Sequence, residues 1–402
     1  VPLCQHLLGY LDGTGHGAAG LEKALDTVLS GTGENSSLVC AVTAQGTLRT
    51  GETARLLQAD SGALGVQLTI SRPVQRAVEA VAASTMTSGC ILVLDTATAA
   101  VRASVSVPCY DPENLADSLQ AENSPFLNRA LQSYAVGSVF KPVLAAAALE
   151  AGLQPVFECT GAVVVDGQIF RCAGGVPHGQ VDLAAALEKS CNGYFIRLGQ
   201  QLGAESLLDA AKAFGFGQSL PLAEGFAAEA GQLPTPQELA QSGQLANFSF
   251  GQGSLLAAPM QVAALFNTLA ADGVYRAPYV LQATLDETTG QPVETLSHPR
   301  GRRVISAQNA ALLRAMLVQV VQQGTAQDAA GLSGGAGGKT GTAQTGQFTP
   351  EGTERCNLWF AGFWPAEKPR YTIVVLQDGA VHTAYSGAAI FAQVCTALEA
   401  AG

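Results

Sequence analysis

Ser138 and Lys141 lie three residues apart in the run Ser138-Val139-Phe140-Lys141, close to one helical turn. On a helix that spacing brings both side chains to one face, where an uncharged amine can take the proton of a hydroxyl and make it a nucleophile. Two further triplets follow in order, Ser190-Cys191-Asn192 and Lys339-Thr340-Gly341. The chain has only six lysines, and Lys141 alone has a serine three positions before it. Asn192 is likewise the only asparagine with a serine two positions earlier. Singly, each element has an ordinary explanation as a capping serine, a solvated lysine or a turn. Together and in this order they point to acyl transfer.

That chemistry sets conditions. Lys141 accepts a proton only when neutral, so its ordinary pKa of about 10.4 must fall by roughly three, or about 4 kcal/mol, through burial and a nearby positive charge such as Lys339. Free backbone N–H groups at the helix start suit a developing oxyanion. Pro142 fits only a helix that begins close to Ser138, where its missing N–H has no intrahelical acceptor to lose. Ser190 and Asn192 fall between two helical patterns, so a short loop can present a hydroxyl that relays a proton and a carboxamide that holds a substrate amide. Cys191, between them, is expected inside the cleft. Lys339, Thr340 and Thr342 along one strand suit a terminal carboxylate, and Gly341 permits close approach of a ligand to the backbone. A phosphate loop at Gly338-Lys339-Thr340 is excluded by the β-like residues that follow where a helix is required. His178 and His382 carry no motif, the five histidines are scattered, and no metal or cofactor is expected.

The elements that must position these residues belong to a globular chain. Of 402 residues 48% are hydrophobic and 13% charged, which supports a sizeable core. A net charge of −11 argues against a nucleic-acid surface. No stretch reaches the roughly 18–20 apolar residues of a membrane helix; Val143 to Ala151 is short and interrupted by Glu150. Val1-Pro2-Leu3-Cys4 has neither an initiator methionine nor a signal pattern, so a fragment or processed form is expected. The nine cysteines lack the tight spacing of a zinc site. Cys159 and Cys172 flank a segment with an Asp166-Gly167 turn, and two readings stay open for them: a disulfide closing a hairpin, or small buried hydrophobes like most of the other cysteines.

Along the chain, Gly20 to Leu29 is helical in pattern, and Leu38–Val42 and Thr47–Thr50 read as short strands. The character changes near Gly65. Val66–Ile70 is strand-like, Pro73–Ala83 helical, and Cys90–Leu94 with Val101–Val107 reads as a hairpin around Asp95-Thr96-Ala97-Thr98, followed by a polar loop to about Asn123. Helices are expected at Ser138–Ala151, Val181–Lys189, Gly193–Leu202, Ala204–Phe214, Pro259–Ala271 and Ser306–Gln323. Strands at Gly338–Thr345, Leu358–Trp364 and Tyr371–Gln377 and a helix at Ala384–Ala400 close the chain. This order implies an α+β fold whose five-stranded antiparallel sheet is assembled from both ends of the chain.

The three motifs resemble those of the transpeptidase domain of penicillin-binding proteins, in the serine β-lactamase and transpeptidase superfamily, and specifically the monofunctional class B type. The likeness extends to Leu68-Thr69-Ile70 with Gln75, Asn128-Arg129-Ala130 before Gly137-Ser138, Phe250-Gly251-Gln252-Gly253 before Pro259-Met260-Gln261, Lys339 to Gln344, and Trp359 to Phe363. Ser71 stands where an acidic residue is common in the family and Val136 where a proline is usual. The resemblance implies a transpeptidase domain over 66–402, with a separate all-helical subdomain beside the sheet, and a pedestal remnant over 1–65. It also implies an extracytoplasmic location, an N-terminal membrane anchor absent from this chain, and a polytopic glycan polymerase as partner.

As the resemblance implies it, Ser138 attacks the D-Ala-D-Ala carbonyl of a peptidoglycan stem peptide while Lys141 accepts its proton. The N–H groups of Ser138 and Thr342 form the oxyanion hole, Ser190 protonates the departing D-alanine, Asn192 holds the peptide amide, and Lys339, Thr340 and Thr342 with Gly341 receive the carboxylate. An amine from a neighbouring stem resolves the acyl-enzyme, and β-lactams acylate the same serine. The alternatives are a β-lactamase or DD-carboxypeptidase on the same scaffold, for which no glutamate stands in a recognisable deacylation motif, and a non-catalytic β-lactam sensor or wall-binding module.

Overall fold

The two apolar, β-branched runs early in the chain form the hairpin of β1 (Gly89–Asp95) and β2 (Val101–Val107). Its turn is fixed by Asp95, whose carboxylate accepts from the backbone and hydroxyl of Thr98. Three late strands, β3 (Gly337–Phe348), β4 (Glu354–Trp364) and β5 (Tyr371–Ala380), join it in the order β3-β4-β5-β1-β2, antiparallel throughout. Val374 of β5 pairs with Leu92 of β1, so the sheet is closed by contacts between the two ends of the chain. These observations come from a computed structural model that describes residues 3–401 except 32–36, 41, 44, 46, 48, 50–54, 58–61, 113 and 122.

Burial of Cys90 to Leu94 on both faces explains why β1 is an unbroken apolar run. Helix α1 (Arg72–Thr85) packs on β1 and β2 and against the C-terminal helix. A wholly buried helix, Pro259–Ala270, packs against β1, β4 and β5. Its polar Asn267 is not orphaned there: it accepts from Thr372 Oγ1 at 3.0 Å and donates to the Thr96 carbonyl at 3.3 Å. Beside the free edge of β3 lies the helical subdomain, built from α2 (Lys141–Glu150), α3 (Leu183–Glu188), α4 (Asn192–Leu202) and α5 (Ala204–Ala213). The buried helix just described is α6, and α7 (Ala307–Gln322) packs against α2, α3, α6 and β3, so it joins the subdomain to the sheet. Ser306 caps α7 by accepting from the Asn309 N–H, as its position before the apolar pattern predicts. The chain closes with α8 (Gly387–Ala401), packed on α1, β4 and β5.

Several expectations are revised. The helical pattern from Gly20 breaks at Leu25 into Gly20–Ala24 and Asp26–Ser30. Ser37–Val39 pairs with Arg55–Leu57, whereas Ala41, Leu48 and Thr50 of the two expected strands lie outside the described residues. The polar loop before Asn123 contains a short helix, Leu115–Leu119. Leu64–Leu68 is the edge of a small sheet whose middle strand, Leu281–Asp286, the pattern missed. The Cys159–Cys172 disulfide is not formed. The hairpin itself is present, with Ala162–Val165 paired to Gln168–Arg171, but the two sulfurs stand 3.6 Å apart and both thiols are free. No helix among the described residues is long and apolar enough to cross a membrane.

Candidate active site

Ser138 sits in a 3₁₀ turn, Gly137–Phe140, that runs directly into α2, with Pro142 in the first turn of that helix. The turn is held from both sides. Gly137 has φ +62° and donates to the Gly251 carbonyl at 2.9 Å; a Cβ on it would fall 2.6 Å from the Thr342 oxygen. A Cβ on Gly341 would fall 2.9 Å from Val139 Cγ1, so this glycine lets β3 pack against the Ser138 turn as well as leaving backbone open to a ligand. Trp359 of β4 donates to the Ala135 carbonyl at 3.0 Å and fixes the approach to the same turn.

Ser138 opens on a cleft of about 830 Å³ shared with Ser190, Asn192, Thr340, Gly341 and Thr342. Six of the eight residues expected from sequence therefore line one groove. The other two, Lys141 and Lys339, are completely buried behind it. Lys141 Nζ donates to the Ser190 carbonyl at 2.7 Å, Ser190 Oγ at 3.1 Å and Asn192 Oδ1 at 2.7 Å. Among the described residues it makes no hydrogen bond to Ser138 Oγ. Burial lowers its pKa to about 7, while the neighbouring Cys191 and Cys172 pull the other way. Of the two expected causes, burial produces the depression, and Lys339 is not among its contributors.

The three contacts restrict what Lys141 can do. An ammonium donates to all three oxygens, but a neutral amine has two protons and one lone pair. The Ser190 carbonyl and Asn192 Oδ1 can only accept, so they take the two protons. The lone pair is then left for a hydroxyl, which is what a base requires. Asn192 is held at its other end by donation to the Arg171 carbonyl at 2.9 Å. Ser190 has φ +53°, a left-handed conformation uncommon for serine, which is kept by the turn between α3 and α4.

On β3 the alternation of side chains puts Thr340 and Thr342 toward the cleft and Lys339 behind it. Lys339 Nζ donates to the Thr340 carbonyl at 3.1 Å and approaches Thr340 Oγ1 at 3.4 Å; Thr340 Oγ1 in turn shares a 2.7 Å hydrogen bond with Thr325. Burial, and secondarily the charge of Lys141, pushes the Lys339 pKa well down. Gln252 Nε2 reaches the Thr342 carbonyl at 3.5 Å from the cleft side. In a strand the N–H and C=O of one residue leave by the same edge, so the Thr342 N–H also points off the sheet toward the cleft.

Cys191 does not face the cleft. It is fully buried, caps α4 by accepting from the Tyr194 N–H, and lies 3.8 Å from Cys172 Sγ. The expectation that cysteines and histidines stay scattered is likewise overturned: Cys159, Cys172, Cys191 and His178 converge, with all donor atoms within 4.8 Å of one another. They lie within one stretch of the chain, 159–191, but without the close pairing of a recognised zinc motif, and strand pairing brings them together.

A family model described as the penicillin binding protein transpeptidase domain matches residues 89–396. The chain belongs to that family. It is 32% identical to the peptidoglycan D,D-transpeptidase PbpA of Mycolicibacterium smegmatis, over 96% of this chain and 80% of that protein. It is also 32% identical to penicillin-binding protein PbpB of the same organism, over 94% of this chain but only 59% of that longer protein. Among solved structures, penicillin-binding protein 3 of Mycobacterium tuberculosis in complex with aztreonam superposes with a TM-score of 0.81 at 28% identity, covering 99% of this chain and 88% of that one.

Within this penicillin-binding transpeptidase domain the flanking motifs act as supports. Arg129 donates to Asp378 Oδ2 at 2.9 Å and to the Ser124 and Asn123 carbonyls, tying the approach to Ser138 to β5. Gln261 accepts from the Ala258 N–H and donates to the carbonyls of Gly215, Gln218 and Ala230, anchoring α6 to the subdomain. Sequence reasoning missed Phe170, Arg171, Asn247, Thr325 and Gln344 as cleft residues. Gln344 ends the Lys339 to Gln344 motif and Asn247 lies just before Phe250-Gly251-Gln252-Gly253, whereas the others reach the site only through the tertiary fold.

Proposed function

We propose that in this peptidoglycan D,D-transpeptidase Ser138 is the nucleophile and Lys141 its base. The single observation that carries this assignment is the fully buried Lys141, whose two obligatory acceptors leave its lone pair for a hydroxyl at the cleft. Ser138 attacks the D-Ala-D-Ala carbonyl and its proton passes to Lys141. The oxyanion lies between the N–H groups of Ser138 and Thr342, which is supported by the outward direction of the Thr342 backbone. Lys141 passes the proton through Ser190 to the departing D-alanine, as their 3.1 Å contact permits. Asn192 holds the peptide amide, and Thr340 and Thr342 receive the terminal carboxylate with Lys339 behind them. A stem-peptide amine then takes the acyl group and completes the cross-link; β-lactams acylate the same serine.

The cleft lining favours transfer over hydrolysis. No aspartate or glutamate lines it, so no carboxylate of the cleft is placed to activate a deacylating water. Division into a pedestal remnant over 1–65 and the transpeptidase domain over 66–402, a place outside the cytoplasmic membrane with an N-terminal anchor, and a polytopic glycan polymerase partner belong to this proposal through class B membership.

Intact mass spectrometry with benzylpenicillin tests it. A persistent one-to-one adduct is expected on the wild type and none on Ser138→Ala. Rapid, sustained nitrocefin turnover by the wild type would instead establish a β-lactamase, and absence of any adduct would remove Ser138 as nucleophile.

A further inference from the structure

Behind the Ser190–Asn192 turn, three thiols and one imidazole meet in a single pocket of the fold. Cys159 ends the strand Phe157–Cys159, and Cys172 follows the hairpin strand Gln168–Arg171. His178 precedes Gly179–Val181, which folds back to pair Gly179 with Cys159. Cys191 caps α4. The sulfurs of Cys159, Cys172 and Cys191 are buried. Cys159 and Cys172 sulfurs lie 3.6 Å apart, those of Cys172 and Cys191 3.8 Å, and Cys159 Sγ and His178 Nδ1 3.5 Å.

Those lengths match three of the six edges of a metal tetrahedron, and the remaining separations are within 4.8 Å. Zinc bonds of about 2.3 Å to sulfur and about 2.05 Å to nitrogen, at tetrahedral angles, require edges of roughly 3.8 Å between sulfurs and roughly 3.6 Å between sulfur and nitrogen. A disulfide, at about 2.05 Å, would use two of the sulfurs and give no account of the third or of the imidazole. Backbone N–H groups already point at the sulfurs, from Tyr194 to Cys191 at 3.4 Å and from Gly193 and Asn192 to Cys172. Such donors offset the negative charge of metal-bound thiolates and orient the ligands.

We propose that Cys159, Cys172, Cys191 and His178 form a structural zinc site that pins the Ser190–Asn192 turn to the hairpin lining the cleft. The three cysteines bind as thiolates and His178 as a neutral imidazole through Nδ1, so three thiol protons leave as the cation enters. All four positions are filled by protein, the arrangement of a closed structural site and not of one that activates water. Its leverage comes from adjacency. Cys191 lies between Ser190 and Asn192, Cys172 follows Arg171, and Asn192 is already bonded to the Arg171 carbonyl. One cation thus fixes both walls that face Lys141.

The test uses the whole chain, expressed with zinc and purified under reducing, metal-free conditions. Inductively coupled plasma mass spectrometry is expected to find about one zinc per chain, released when a mercurial titrates the thiols. Exchange with cobalt(II) alone is expected to give the thiolate charge-transfer and ligand-field bands of tetrahedral coordination. Cys159→Ser and His178→Gln should each weaken zinc binding by at least about tenfold. Cys395→Ser, buried against another part of the core, should leave the stoichiometry unchanged. Because the wild-type readout stands alone, a variant that fails to fold does not rescue the proposal. Folded wild type with reduced thiols and no zinc uptake would overturn it, as would a chain two hydrogens lighter that takes up no zinc after reduction. Neither result touches the Ser138 adduct, so failure here is separable from failure of the catalytic assignment.

Discussion

If burial sets the state of Lys141, the rate of acylation must follow its titration. Its pKa of about 7 leaves about 70% of the amine neutral at pH 7.4, against roughly 0.1% at an ordinary lysine pKa. The groups that face it are Cys191 and Cys172, which oppose the shift, and Lys339, which feels the charge of Lys141. The sign is fixed by the role. A base works deprotonated, so the second-order rate constant for acylation by benzylpenicillin should be low in acid, rise through about pH 7 and level off above about pH 8. Below the inflection it should fall about tenfold per pH unit, giving roughly a twentyfold loss between pH 7.4 and 5.5. Rapid-quench labelling with a fluorescent penicillin measures this directly. Lys141→Arg supplies the control, because a guanidinium keeps the donors and the charge but never becomes neutral, and about a thousandfold loss is expected. A flat profile from pH 5.5 to 8.5, an inflection above pH 9, or an active Lys141→Arg enzyme would each refute the role given to burial.

Three further outcomes follow from named contacts. Gly341→Ala puts a Cβ 2.9 Å from Val139 Cγ1 and 3.1 Å from the Val136 oxygen, so thermal unfolding should show a loss of about 1–3 kcal/mol together with slower acylation; an unchanged Tm would refute the close packing of β3 on the nucleophile turn. Arg129→Met leaves Asp378 without its partner and should cost about 3 kcal/mol in denaturant unfolding, and a loss within error would show that the pair contributes nothing. A ligand carboxylate should raise the Lys339 pKa that burial pushes well down, so Lys339→Met should weaken calorimetric binding of a D-Ala-D-Ala peptide to Ser138→Ala by about tenfold or more; unchanged affinity would separate Lys339 from carboxylate recognition.

The legible parts of this chain are those in which one local pattern carries the information. β1 and β2 announce themselves because both are buried, β-branched runs around an Asp-Thr turn, and α7 because a serine cap and an apolar period agree. The serines, lysines and asparagine proposed for the site were legible because their spacing within a turn or strand is itself the chemical requirement. Leu281–Asp286 was passed over although Leu281, Ala283 and Leu285 alternate with Gln282, Thr284 and Asp286; six residues carry little weight alone, and the partner that makes it a middle strand, Leu64–Leu68, lies far earlier in the chain. Phe170 and Arg171 reach the cleft only because the hairpin folds over α4, and Thr325 only because α7 ends beside β3. The thiol cluster is the extreme case. Its sulfurs lie 13 and 19 residues apart and meet through two strand pairings and a helix cap, so nothing local marks them as a set.

In the proposed mechanism the same geometry lets one lysine serve two half-reactions. After acylation Lys141 carries the proton taken from Ser138, and all three of its donors then have acceptors in the Ser190–Asn192 turn. That turn stabilises the ammonium only locally, because burial still disfavours the charge. The proton therefore leaves by the one contact that can run in either direction, the Ser190 hydroxyl, and departs with the leaving amine. The neutral amine left behind is again a base, now facing whichever nucleophile enters the cleft. An incoming stem-peptide amine brings its own proton to that lone pair. Water would need the same service, but with no carboxylate lining the groove it competes for a single base that a bound peptide covers. In the proposed mechanism the lack of a carboxylate lining the groove, among the described residues, favours transfer over hydrolysis, and acyl groups that block the groove without supplying an amine should stay on Ser138.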